Sequence, residues 1–186
     1  MVAFNQPTVV GPTTAVAAAN EFLALAGAEG VAVDQMKLQK LLFYGHAWSL
    51  AIRNAPLFEQ DFEAWPWGPV VRDIYYQTRD SGRGAVTKRL QEINKTGPNP
   101  LDFRWTVPNG VQDAETKAFL KSVWDSLKTY TGIQLSNATH GPGEPWTIVR
   151  DQFGSLDSKP TIPNALIQSV FKQKLQNVNA ANSAPR

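Results

Sequence analysis

The chain has 186 residues, 42% of them hydrophobic and 18% charged, with a formal net charge of +2 at pH 7. This is enough apolar material for one core and too little length for two ordinary domains, and it excludes a chain disordered throughout. With no cysteine and two histidines, His46 and His140, disulfides, cysteine-ligated zinc and thiolate nucleophiles are excluded, and the near balance of charge does not mark a nucleic-acid binder.

Residues 1–12 read as a loose N-terminal tail. Thr13 or Thr14 can cap a helix that runs to about Ala28 and is stopped by Gly27 and Gly30. The same stretch carries an A-x-A-like LALA, but the first basic residue is Lys37, so it does not read as a signal peptide. No run approaches the ~20 apolar residues of a membrane span, and the expected location is cytoplasmic. Asp34 opens the most informative helix, continuing to Arg53. Leu38, Leu41, Leu42 and Ile52 form one stripe, Phe43, His46 and Leu50 a second, and Tyr44 with Trp48 a third. A helix apolar on most sides belongs at the centre of a fold.

Asp61 to Trp65 alternates polar with apolar and predicts a short strand. Trp67, Gly68 and Pro69 turn the chain, and Pro69 suits the first position of a helix over Val70 to about Thr78. Ser81 to Gly84 is a glycine-rich loop, Thr87 to Asn94 a predicted short helix, and Phe103, Trp105 and Val107 a second strand. Asp113 caps a helix ended by Gly132, with Phe119, Val123, Leu127 and Tyr130 on one face. Short helical pieces follow over Ser136–His140 and Pro145 to about Asp151. Pro163 starts a last helix, and residues 179–186 read as a frayed tail. The expected architecture is mainly α: a single helical domain over 13–178 around a central apolar helix, with a small two- or three-stranded β-sheet.

Few residues suggest bond-making chemistry. His140 lies near Glu144 in THGPGEPW, but a metal or acid–base role needs ligands converging from elsewhere; an imidazole bonded to a loop carbonyl and stacked on a tryptophan is favoured. His46 reads as a core histidine. Asp61 and Glu63 are two carboxylates without a third ligand. The loop SGRGAV lacks the Lys-Ser/Thr of a phosphate-binding loop, and no serine has a G-x-S-x-G context. No metal, cofactor or catalytic residue is therefore expected. A hydrolase using His140 with Glu144 or Asp61, and a regulator binding nucleic acid, are the alternatives to a binding protein. The unusual resource is six tryptophans. Trp48, Trp65 and Trp146 read as pins to the core, and Trp67, in a turn, as an exposed anchor.

The order KLQKLLFYGHAWSLA, PLF, EAWPWGPVV and later LSNATHGPGEPW resembles the Panacea antitoxin domain, also called the SocA-like or phage-associated GepA-like family. The resemblance runs from about Val16 to Phe171. It implies an antitoxin that neutralises a cognate toxin encoded beside it, by direct protein–protein binding without catalysis. One branch of the family delivers its toxin to a Clp-type protease, a further role open here. The motif positions that carry over are Leu38, Lys40, Tyr44, Trp48, Glu63, Trp65, Gly68, Pro69, His140, Pro145 and Trp146, expected as scaffold. The turn and the THGPGEPW segment are expected to close onto the central helix and hold a partner-binding surface of Trp67, Arg72, Tyr75, Tyr76 and Arg79.

Overall fold

A computed structural model of the protein describes residues 13–183; the expected tail over 1–12 lies outside them. Helix α1 (Ala15–Glu29) starts at Thr14, whose hydroxyl accepts from the Ala17 N–H, and ends at Gly30 in the left-handed conformation. Its alanines, Ala15 and Ala17 to Ala19, are buried and let other elements approach closely. Helix α2 (Gln35–Trp48) is capped by the Asp34 carboxylate on the Lys37 N–H at 2.7 Å. A π-helical turn, Ser49–Arg53, continues it. The widened turn rotates Ile52 out of the expected stripe, leaving it 53% exposed.

The central place expected for α2 is confirmed. It packs against α1, α4 (Ala114–Leu127), α5 (Gly132–Thr139) and α7 (Asn164–Ser183). Leu38, Leu41, Leu42, Phe43 and Ala47 are fully buried on it. Phe43 meets Phe62 and Phe171 edge-on, at centroid distances of 5.3 and 5.9 Å, and Trp48 meets Phe171 at 5.0 Å. These T-shaped contacts join α2 to α7 and to the sheet.

Strand β1 (Phe62–Trp65) lies between β2 (Gly68–Val70) and β5 (Thr161–Ile162), both antiparallel to it. Helix α3 (Arg72–Thr78) follows β2. A separate antiparallel ribbon pairs β3 (Glu92–Lys95) with β4 (Phe103–Thr106). Helix α6 (Pro145–Phe153) has Pro145 in its first turn. The fold is mainly α with small antiparallel sheets, as expected.

Four local expectations are corrected. Pro69 does not open a helix at Val70; it pairs opposite Ala64 on an edge strand, where a missing N–H is tolerated. The Gln39 amide brackets Val71, accepting from its N–H at 2.9 Å and donating to its carbonyl at 3.2 Å, and delays the helix to Arg72. The predicted helix over Thr87–Asn94 is absent, because distant side chains take its backbone. Asn20 holds the Leu90 N–H and C=O, Gln77 holds those of Gln91, and residues 92–95 pair with 103–106.

Gly132 does not end α4, which stops at Leu127, and Tyr130 is exposed beyond it. Gly132 instead begins α5, where a Cβ would lie 2.8 Å from both Asp34 Oδ1 and the Lys37 nitrogen. Close approach to the start of α2 requires a glycine there. Finally, α7 runs on to Ser183, so the expected tail over 179–186 begins as helix. Ala180 and Ala181 favour helix, and no proline lies between Pro163 and Pro185.

Candidate functional site

The chain between β1 and β2 is a short turn, and its carbonyls are held by side chains from three helices. The Trp146 indole N–H of α6 donates to the Trp65 carbonyl at 2.8 Å. Ser136 Oγ of α5 donates to the Trp67 carbonyl at 2.9 Å, and Lys40 Nζ of α2 to the Pro69 carbonyl at 3.1 Å. His140 Nε2 faces the Pro66 carbonyl at 3.4 Å, while its Nδ1–H donates to the Ser136 carbonyl at 2.6 Å. The imidazole meets the Trp146 ring edge-on at 3.9 Å. Gly68, at φ +100°, passes so close to Lys40 and Thr139 that no side chain fits.

These bonds clamp a backbone whose side chain points outward. Trp67 is 71% exposed, among the most exposed large apolar side chains of the molecule. Beside it a cavity of about 110 Å³ is lined by Met36, Trp65, Trp67, Val70 and Tyr75. Rings and cations continue from there. Lys159 Nζ lies 4.0 Å over the Trp65 ring, Trp65 meets Tyr75 at 4.6 Å, Tyr75 meets Tyr76 at 5.6 Å, and Arg79 lies over Tyr76 at 5.4 Å. Tyr75 is half-buried, whereas Tyr76 and Arg79 are exposed. Fixed aromatics flanked by arginine suit protein recognition, since little freedom is lost when they are covered.

Of the residues expected at the surface, the structure brings Trp67 and Tyr75 onto one cavity and sets Tyr76 and Arg79 along α3 from it. Arg72 departs from the group. Its guanidinium pairs with Glu63 at 2.6 Å and lines a separate recess with Asp61 and Asp73. Glu63 also accepts from the Trp65 indole at 2.8 Å, so it serves the scaffold. Leu38 and Trp48 sit in the core and its margin, as does Tyr44 between Phe43 and Phe171.

Lys40 is 1% exposed, and burial pulls its ammonium down to about 7. Burial likewise lowers His46, whose Nε2–H donates to Asn164 Oδ1 at 2.9 Å. Tyr44 is raised far above its ordinary value, first by burial and then by the Glu144 charge. Glu144 itself pairs with Lys174. Among the described residues there is no group of three His, Asp or Glu able to hold a metal ion, and no helix long and apolar enough to cross a membrane.

Sequence reasoning missed one further surface. Ile93, Phe103 and Trp105 of the β3–β4 ribbon are 53%, 57% and 62% exposed. The alternation around Trp105 predicts a strand, yet period two does not say which face meets water.

Residues 38–147, more than half of the chain, match the family "Antitoxin SocA-like, Panacea domain". Over 139 residues the chain is 28% identical to the Antitoxin SocA of Caulobacter vibrioides (strain NA1000 / CB15N), covering 75% of this chain and 71% of that protein. No solved structure matches. The matched span holds both halves of the turn and its clasp, from Leu38 and Lys40 through Gly68 to His140 and Trp146, and the chain belongs to the SocA-like antitoxin family with its Panacea domain.

Proposed function

We propose that the protein is a cytoplasmic antitoxin that neutralises a cognate toxin by binding it directly at the surface around Trp67. The observation that carries this reading is the pairing of an exposed tryptophan with a turn whose carbonyls are held by Lys40, Ser136 and Trp146. A clamped loop presents its ring without first having to be ordered, and such anchors dominate protein interfaces. Membership of an antitoxin family and the relative named Antitoxin SocA support the same role. The hydrolase alternative loses ground because both His140 nitrogens face carbonyls and its ring packs on Trp146. Glu144, its nominal partner, is paired with Lys174.

The test is growth on expression of the protein encoded beside this gene, alone and with this chain. The neighbour alone should arrest growth and co-expression should restore it. Rescue should persist in a strain lacking Clp protease, since occupancy alone suffices. Replacing Trp67 and Tyr75 by alanine should weaken binding at least tenfold, about 1.4 kcal/mol, with the circular dichroism of the fold retained. A harmless neighbour, or rescue untouched by the double variant, removes the assignment or the surface respectively.

A further inference from the structure

The β3–β4 ribbon leaves an apolar face in solvent. Cross-strand partners share a face, so Ile93 with Trp105 and Lys95 with Phe103 form one side, and Glu92 with Thr106 and Asn94 with Arg104 the other. On the polar side, Glu92 ties the ribbon to the body by accepting from Thr14 Oγ1 at 2.5 Å, while the Asn94 amide donates to Thr106 Oγ1 at 2.6 Å within the ribbon. The apolar side faces outward with all three large side chains more than half exposed. An apolar face directed at water marks an interaction site. Neither outer edge of this two-stranded sheet pairs with another strand among the described residues, which leaves backbone donors and acceptors free for strand addition.

The charge of the ribbon says what it fits. Lys88, Lys95 and Arg104 are exposed and form no ion pair among the described residues. Arg89 donates to neutral acceptors, Asn109 Oδ1 and the Pro108 carbonyl. Two carboxylates, Glu92 and Asp102, lie among these four basic side chains and meet only neutral donors, so the balance is positive. The surface therefore carries unanswered positive charge beside an apolar face. The foot of β3 is also tied to α3, the helix that carries Tyr75, because Gln77 exchanges two 2.8 Å hydrogen bonds with Gln91.

We propose that the β3–β4 ribbon docks an acidic, extended segment of the toxin, which adds along an open edge as a further strand and covers Ile93, Phe103 and Trp105. This inference rests on the toxin-binding reading above. Aromatics beside cations also suit single-stranded nucleic acid, but open strand edges and a net charge of only +2 favour a polypeptide.

The test uses the full chain and the protein encoded beside its gene. Two variants are made: Ile93→Thr/Phe103→Thr/Trp105→Thr, which keeps β-forming residues, and Lys95→Glu/Arg104→Glu. Each should bind the toxin at least tenfold more weakly than the unmodified chain while keeping its circular dichroism and denaturation midpoint. Hydrogen exchange at residues 92–95 or 103–106 should slow in the complex, as strand addition requires. If both variants bind within twofold of the unmodified chain, the ribbon is not a docking surface. Ribbon-dependent retention of oligo(dT) with unaltered toxin affinity makes it a nucleic-acid platform and overturns the proposal. A neighbour that the unmodified chain does not bind removes the antitoxin reading itself, an outcome distinct from loss of the ribbon alone.

Discussion

Trp67 and Gly68 are adjacent and have opposite surroundings, one facing solvent and the other the interior. Trp67 is mostly in solvent, so Trp67→Ala should leave the urea midpoint within about 0.5 kcal/mol of the unmodified chain. Gly68 has no such latitude. At φ +100° a Cβ would lie 2.6 Å from Thr139 Oγ1 and 2.7 Å from Lys40 Nζ. A left-handed backbone carries about 1–2 kcal/mol of strain for a residue with a Cβ, and the displaced ammonium has no room in a packed interior. Gly68→Ala should therefore cost about 2–4 kcal/mol in urea unfolding. An unchanged midpoint would show that Lys40 and Thr139 step aside freely and that the clasp is loose. The contrast of the two variants separates a residue that the fold can spare from one that shapes the turn.

At the scale of elements, the same turn depends on three helices at once. Trp146→Phe keeps most of the ring packing on His140 but removes the indole N–H that meets the Trp65 carbonyl. Loss of that donor should cost about 1–3 kcal/mol of stability. It should also lower toxin affinity, measured by titration calorimetry, although Trp67 itself is untouched; affinity equal to the unmodified chain would mean that the clamp does not preorganise the anchor. Elements governed by neighbours in sequence were legible. Thr14, Asp34 and Asp113 each cap a helix by accepting from the N–H three residues on. Elements governed from afar were not. The segment before β3 is irregular because Asn20 and Gln77 hold its backbone, β2 stays extended into Val71 because Gln39 brackets that residue, and Gly132 is dictated by contact with Asp34 and Lys37. The two-residue β5 is too short to carry any alternation. For the site, a tryptophan beside Pro66 and Gly68 announced its exposure, whereas the carbonyl clasp and the outward face of the ribbon exist only after folding.

For the molecule as a whole, α2 stores ionisable groups in the core and so couples folding to protons. Burial lowers Lys40 from its ordinary 10.5 to about 7, so between these values the unfolded chain holds a proton that the folded chain releases. The unfolded state then binds more protons, and stability rises with pH across that window. Burial acts on Lys37 in the same direction, opposed by Asp34. His46, lowered chiefly by burial and opposed by Asn164 and Asp61, adds a further loss as pH falls through the ordinary histidine range. Tyr44 acts oppositely: its folded value is raised, so its contribution fades above pH 10 as the unfolded phenol ionises. Lys128, raised first by Glu29 and then by Asp125, weakens the fold over the same alkaline range. Urea midpoints should thus climb from pH 5 to about pH 9–10 and then bend over. Lys40→Met should flatten the climb between pH 7 and 10, removing a difference on the order of a few kcal/mol. A profile already flat there in the unmodified chain would mean that Lys40 stays protonated in the folded state, with its charge balanced inside the clasp.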